Sequence, residues 1–218
     1  MHEHVDNYCE RVGTAFWAEP INAVTNLAFV IAAILLLLAW QKSTARSPAV
    51  LYLSFWIAVI GIGSFLFHTF ANIWSLAADV IPILIFILSY LFLAVRYYLG
   101  LPLWQSAVVA LAYIPVSYFV VPLIEPLVGS SSGYVPALLA IFIVGLLMLG
   151  RDRKLAMGLI VTGGVFLVSI GFRMADEPVC RVVPLGTHFL WHIFNSVVLY
   201  RLTMIYLRKR EREPSVAG

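Results

Sequence analysis

A chain of 218 residues that is 62% hydrophobic and only 11% charged has far too little polar surface to cover a soluble globule, and a mean hydropathy of +0.95 says the same. The apolar residues fall in runs of about 20, long enough to cross a bilayer as helices, which excludes the alternating strands of roughly ten residues that build an outer-membrane barrel. A net charge of +3 does not read as nucleic-acid binding, because the basic residues are spread over short loops and gathered in the tail, as membrane orientation requires.

In chain order, the opening Met1-His2-Glu3-His4 has no basic stretch and no small-residue cleavage site before the first apolar run, so no removable signal peptide is expected. Residues 1–19 carry Glu3, Asp6, Glu10, Glu19 and Cys9 and read as an ordered extracytoplasmic cap. Spans are expected over roughly Pro20 to Trp40, Val50 to Phe70, Ser75 to Tyr98, Leu103 to Leu123, Pro136 to Gly150, a sixth reaching Phe172, and Thr187 to Leu207. The fold class is therefore all-α: a seven-transmembrane-helix bundle over residues 20–207, followed by a basic tail, 208–218.

Few residues separate the second and third spans, so these helices must be antiparallel neighbours, which sets His68 and Asp79 at similar depth. Pro115 and Pro122 are expected to kink the fourth span, and Val128 to Gly133 has the composition of a flexible loop. Arg11, Arg173 and Arg181 fall on one side of the membrane. Lys42, Arg46, Arg96, Arg151, Arg153, Lys154, Arg201 and the tail lie on or next to the other. That bias predicts an amino terminus outside and a carboxyl terminus in the cytoplasm.

This topology gathers Ser64, His68, Asp79, His188 and His192 in the outer leaflet. Intramembrane ionisable groups are costly without partners or water, so each needs a reason. A lone histidine can be a neutral ring bonded to a carbonyl; three histidines and an aspartate at one depth point elsewhere. His188 and His192, at i and i+4 on one helix face, with His68 from another helix, make a three-ligand zinc site that leaves a fourth position for water. Asp79 is placed to act as the base, and Ser64, one turn before His68, to hydrogen-bond a developing oxyanion or simply its own helix backbone. Cys9 and Cys180 share the same side, where an oxidising compartment lets them pair; the alternative is two unpaired thiols.

Two other function classes use such groups. A proton-coupled transporter uses His and Asp relays, but these usually extend across the bilayer, whereas this cluster sits at one end. A lipid-responsive seven-helix receptor would need a cytoplasmic partner surface, and the short loops offer little beyond orientation charges.

Tyr8-Cys9-Glu10, Ala18 to Asn26, Gly63 to His68, Asp79 and His188-Phe189-Leu190-Trp191-His192 resemble, in order, the motifs of the alkaline ceramidases, a superfamily that also includes the adiponectin receptors. The resemblance spans nearly the whole chain, and order and spacing together carry it. It implies a seven-helix intramembrane zinc amidase that cleaves ceramide, or a related N-acyl lipid, to a sphingoid base and a fatty acid. His68, His188 and His192 would be zinc ligands, Asp79 the residue that activates water, Ser64 the oxyanion helper and Cys9–Cys180 a disulfide. The expected setting is a bacterial inner membrane, with the site toward the periplasmic leaflet and a membrane lipid as substrate.

The family also binds calcium in its cap. Here the run Asn7-Tyr8-Cys9-Glu10-Arg11-Val12 departs from the family's Asp-Trp-Cys-Glu-x-Asn, though Asp6, Glu10, Glu19 and the Tyr8 carbonyl still offer the hard oxygens that calcium prefers. Calcium is thus an expectation beside that of a plain acidic cap.

Overall fold

The protein is described by a computed structural model over residues 3–212, so the tail beyond Arg212 lies outside the described residues. It is all-helical: α1 Pro20–Thr25, α2 Leu27–Lys42, α3 Pro48–Phe70, α4 Ile73–Tyr97, α5 Leu103–Val128, α6 Val135–Leu147, α7 Arg153–Val179 and α8 His188–Glu211. Prolines open α1 and α3, where a missing N–H deprives the helix of nothing. Asn72 and Ser75 form a reciprocal capping box at the start of α4, and Asp152 caps α7 by accepting from the Leu155 N–H at 3.0 Å.

The burial pattern is that of a protein solvated by lipid. Leu36, Leu53, Ile57, Leu155 and Leu159 are fully buried between helices, while Leu103, Trp104, Phe119, Leu123 and Leu127 face outward. Five helical stretches are long and apolar enough to cross a membrane: Pro20–Lys42, Pro48–Phe70, Ile73–Tyr97, Leu103–Leu147 and Arg153–Val179. The chain is a multi-pass membrane protein. Length and apolarity alone do not separate seven spans, however. The expected fourth and fifth fall in one helical stretch of 45 residues, and α8, which carries Arg201 and Arg208 to Glu211, is not among the five.

Two further expectations change. The serine-rich loop is a 3₁₀ turn, Gly129–Tyr134, with Ser131 and Ser132 buried, because Arg173 donates to the hydroxyls of Ser130 and Ser131 at 2.8 and 3.0 Å. Helix α7 runs to Val179 rather than stopping near Phe172, which carries Asp176 and Cys180 toward the cap.

Helices α3 and α4 are joined only by Ala71 and Asn72 and lie side by side. Gly63 makes the contact close: a Cβ there would sit 2.0 Å from the Ala78 carbonyl oxygen. That approach brings Ser64 beside Asp79. Helix α8 packs against α7 and α2, and α1 lies against α3 and α8, so the cap and α1 close over the end of the bundle where α3 finishes and α8 begins.

Candidate metal centre

His68 belongs to the last turn of α3; His188 and His192 belong to the first turns of α8. All three are buried, at 1%, 2% and 1% exposure. Their ring centroids lie 4.6 to 5.1 Å apart, and one nitrogen from each falls within 4.8 Å of the other two. Among the described residues this is the one group of histidine, cysteine and acidic side chains placed to hold a metal ion.

The hydrogen bonds decide which nitrogens face inward. His68 Nδ1 is 2.6 Å from Glu19 Oε2, so the ring donates there and leaves the Nε2 lone pair free. His192 Nδ1 lies 3.0 Å from Thr25 Oγ1, whose own proton goes to the Ile21 carbonyl at 2.8 Å, so here too the ring donates and Nε2 is free. His68 Nε2, His192 Nε2 and His188 Nδ1 are all buried without a hydrogen-bond partner. Three neighbouring orphaned acceptors are expensive unless something electron-poor lies between them. The donor set, three imidazoles with outer partners on two of them, suits zinc.

The entrance to α8 is fixed from α7. Asp176 Oδ1 accepts from the backbone N–H of Thr187 at 2.7 Å and of His188 at 2.9 Å, and Oδ2 from Cys9 N–H at 3.0 Å. Thr187 does not use its own side chain as a cap, so Asp176 does the capping from a distance. Gly186, at φ +63°, lets the chain turn onto that carboxylate; a Cβ there would fall 2.0 Å from Asp176 Oδ1. Cys9 and Cys180 are disulfide-bonded, with Cα atoms 5.3 Å apart. The Tyr8 ring stacks on His188 at 3.6 Å, and burial pushes its phenol well above the usual range, so the hydroxyl stays protonated.

Asp79, half-buried at the start of α4, accepts a hydrogen bond from Ser64 and lies in the field of Arg173. Arg173 reaches Tyr8 Oη at 3.3 Å and lies over the rings of Tyr134 and Trp191. Asn195 on α8, close to one turn beyond His192, joins an apolar cavity lined by Phe86, Ile87, Phe166, Val198 and Leu199. Tyr134 lines that cavity as well, and its ring packs on Trp191 at 4.6 Å.

A family model for Ceramidase matches residues 5–216. The chain belongs to the Ceramidase family. Membership implies a lipid amide hydrolase of the ceramidase kind. No curated protein matches the chain.

Asp79 lies beside Ser64 and within reach of His68, and His68, His188 and His192 stand together. The four residues offered to calcium do not. Glu10 gives its two oxygens to the Ile21 and Asn22 N–H groups, both at 2.7 Å, and the Tyr8 carbonyl accepts from Arg11 N–H at 3.1 Å. Glu19 is held by Arg11, His68 and Asn22, while Asp6 is exposed. Burial alone would push the Glu19 carboxyl up, but the His68 hydrogen bond and the charge of Arg11 outweigh it and keep the carboxyl below its usual range. These cap oxygens do not fit a calcium ion.

Sequence reasoning missed the partners of the histidines. Glu19 on His68 and Thr25 on His192 act across long sequence separations, and Asp176 reaches Thr187 and His188 from 11 and 12 residues away. A carboxylate directly before the first apolar helix was the one local signal for Glu19.

Proposed function

We propose that this chain is an intramembrane zinc-dependent amidase that hydrolyses ceramide, or a related N-acyl lipid, to a sphingoid or similar long-chain amine and a free fatty acid. The observation that carries this reading is the set of three buried imidazole nitrogens, His68 Nε2, His188 Nδ1 and His192 Nε2, with no other partner. These nitrogens would hold the ion. Zinc, when bound, lowers the pKa of water toward neutral and polarises an amide carbonyl.

The chain's own residues supply the proton handling. Asp79 is the base for the attacking water, whose oxygen forms the new bond to the acyl carbon as the C–N bond breaks. The same carboxyl returns the proton to the departing amine. Ser64 donates to Asp79 at rest, so its hydroxyl is not yet free to serve the oxyanion. Once Asp79 is protonated it donates to Ser64 Oγ, and the serine proton turns to the carbonyl oxygen. Base and oxyanion helper are coupled in this reading, each freed by the other. The apolar cavity beyond His192 and Trp191 takes an acyl chain, with the amide held at the histidines.

The same reading takes the bundle as seven spans, with residues 1–19 as an extracytoplasmic cap, 20–207 in the membrane and 208–218 as a cytoplasmic tail. Supporting it are the Lys and Arg bias and the disulfide on the histidine side, which an oxidising periplasm would maintain. A bacterial inner membrane with the site toward the periplasmic leaflet follows. The test is purified protein with a fluorescent ceramide, fatty-acid release and bound metal being measured together. Wild type should release fatty acid and carry about one zinc per chain, a stoichiometry taken from the single three-ligand group. Metal-free active protein, or unchanged turnover and metal content in His188→Ala, would refute it.

A further inference from the structure

Arg11 is a buried cation in a cap otherwise rich in acids, only 6% exposed. Its Nε donates to Glu19 Oε1, its Nη1 to the Gly13 carbonyl at 3.4 Å and its Nη2 to the His68 carbonyl at 3.0 Å. The other Glu19 oxygen accepts from His68 Nδ1 and from Asn22 Nδ2 at 3.0 Å. One guanidinium therefore grips both the backbone of His68 and the carboxylate that orients its ring. The three oxygens around it come from a side chain and two carbonyls, the kind of set that a divalent cation gathers. A buried Glu19 without a countercharge would be costly, and Arg11 supplies that charge from within the chain.

We infer that Arg11 takes the place of a calcium ion in this cap and is a positioning residue for the metal centre, fixing the His68 ring through Glu19. The second half rests on the zinc reading above. A lysine would carry the same charge, but a point charge on a flexible stem does not reproduce a planar fork that reaches Glu19 and the His68 carbonyl together. The cap is therefore independent of calcium, and zinc affinity depends on a residue that touches neither zinc nor substrate.

The test compares wild type with Arg11→Gln, Arg11→Lys, Glu19→Gln and the Arg11→Gln/Glu19→Gln pair. Each is purified, stripped, titrated with zinc against a competing chelator dye, and melted in excess calcium or in a calcium chelator. Wild type should melt at one temperature in both conditions. Arg11→Gln should bind zinc at least about tenfold more weakly, the usual scale for losing an outer partner of a ligating histidine. Arg11→Lys should fall between, and the double variant should lose less than the sum of the two single losses, because Arg11 acts in part through Glu19. A wild-type melting temperature that rises with calcium, wild-type zinc affinity in Arg11→Gln, or additive losses in the pair would each overturn the inference. If Arg11→Gln yields no folded protein, Arg11→Lys carries the test, and wild-type affinity there overturns it. A folded wild type that binds no zinc refutes the proposed function instead, and Arg11's replacement of calcium is then decided by the melting comparison alone.

Discussion

Replacing Asp176 by asparagine isolates the device that sets the mouth of α8. The carboxylate is 2% exposed and accepts three backbone N–H bonds, from Thr187, His188 and Cys9. Asparagine keeps one oxygen but turns an NH2 group toward a donor, whichever way the amide is flipped. Orienting the oxygen toward Thr187 and His188 sacrifices the Cys9 bond, a hydrogen bond to a charged group being worth about 1.5–3 kcal/mol. The two bonds that remain weaken from charged to neutral, and the favourable negative charge at a helix amino terminus, about 0.3–1 kcal/mol, disappears. The disulfide still holds Cys9 nearby, so the total expected is about 3 kcal/mol, near a 150-fold shift in the unfolding equilibrium by 1.36 kcal/mol per decade. Thermal unfolding of purified protein should fall by about 6–12 °C at this chain length. Zinc affinity should drop about tenfold as His188 loses its anchored backbone. A melting temperature within about 2 °C of wild type, together with unchanged metal affinity, would refute the reasoning, because the three N–H groups would then be finding equivalent acceptors without Asp176.

Three other substitutions probe separate links. Gly63→Ala drives a Cβ into the Ala78 carbonyl, so α3 and α4 must part; turnover of ceramide should fall about 100-fold, with stability reduced by about 1–3 kcal/mol. Thr25→Val removes the Nδ1 partner of His192 at nearly constant volume, and zinc titration should show about tenfold weaker binding with little change in ceramide KM. At the opposite end of the bundle, partial burial would raise the Asp152 carboxyl, but the Leu155 N–H and Arg212 outweigh it and hold it below the ordinary 3.8. A depressed carboxylate contributes stability above its unfolded pKa and loses it as pH falls through the folded value. Asp152→Ala should therefore cost about 1 kcal/mol at neutral pH and nothing once the medium is well below pH 3.8, as melting curves across pH will show.

How much of this was legible in the sequence follows from the range of each interaction. The helices were legible because lipid demands long apolar runs, and the His188–His192 pair because helical spacing puts i and i+4 on one face. The depth shared by His68 and Asp79 followed from a connection too short for any other arrangement. Partners distant in sequence were hidden: nothing near Glu19 announces that its carboxylate serves His68, and nothing near Asp176 announces that Gly186 will turn the chain onto it. The calcium expectation meets protein partners in place of an ion for a related reason. Acidic residues can be counted in a sequence, whereas the protein donors that satisfy them, here Arg11 and the first N–H groups of α1, appear only in three dimensions. Apolarity alone leaves α8 undecided as a span, because it carries two buried histidines and ends in charge.

The clasp between Cys9 and Cys180 joins positions 171 residues apart, and His68 meets its two imidazole neighbours only when α8 is in place. A ribosome makes the cap first and the α7–α8 pair last. During synthesis the early part of the chain therefore carries only one of the three clustered histidines, His68, and an unpaired thiol, and a chain released before α8 holds both cysteines of the clasp but cannot assemble the triad. Metal capacity therefore arrives only with completion of the bundle, after both halves of the clasp have been made, and a product that stops short of α8 is marked by an incomplete centre rather than by a missing cysteine.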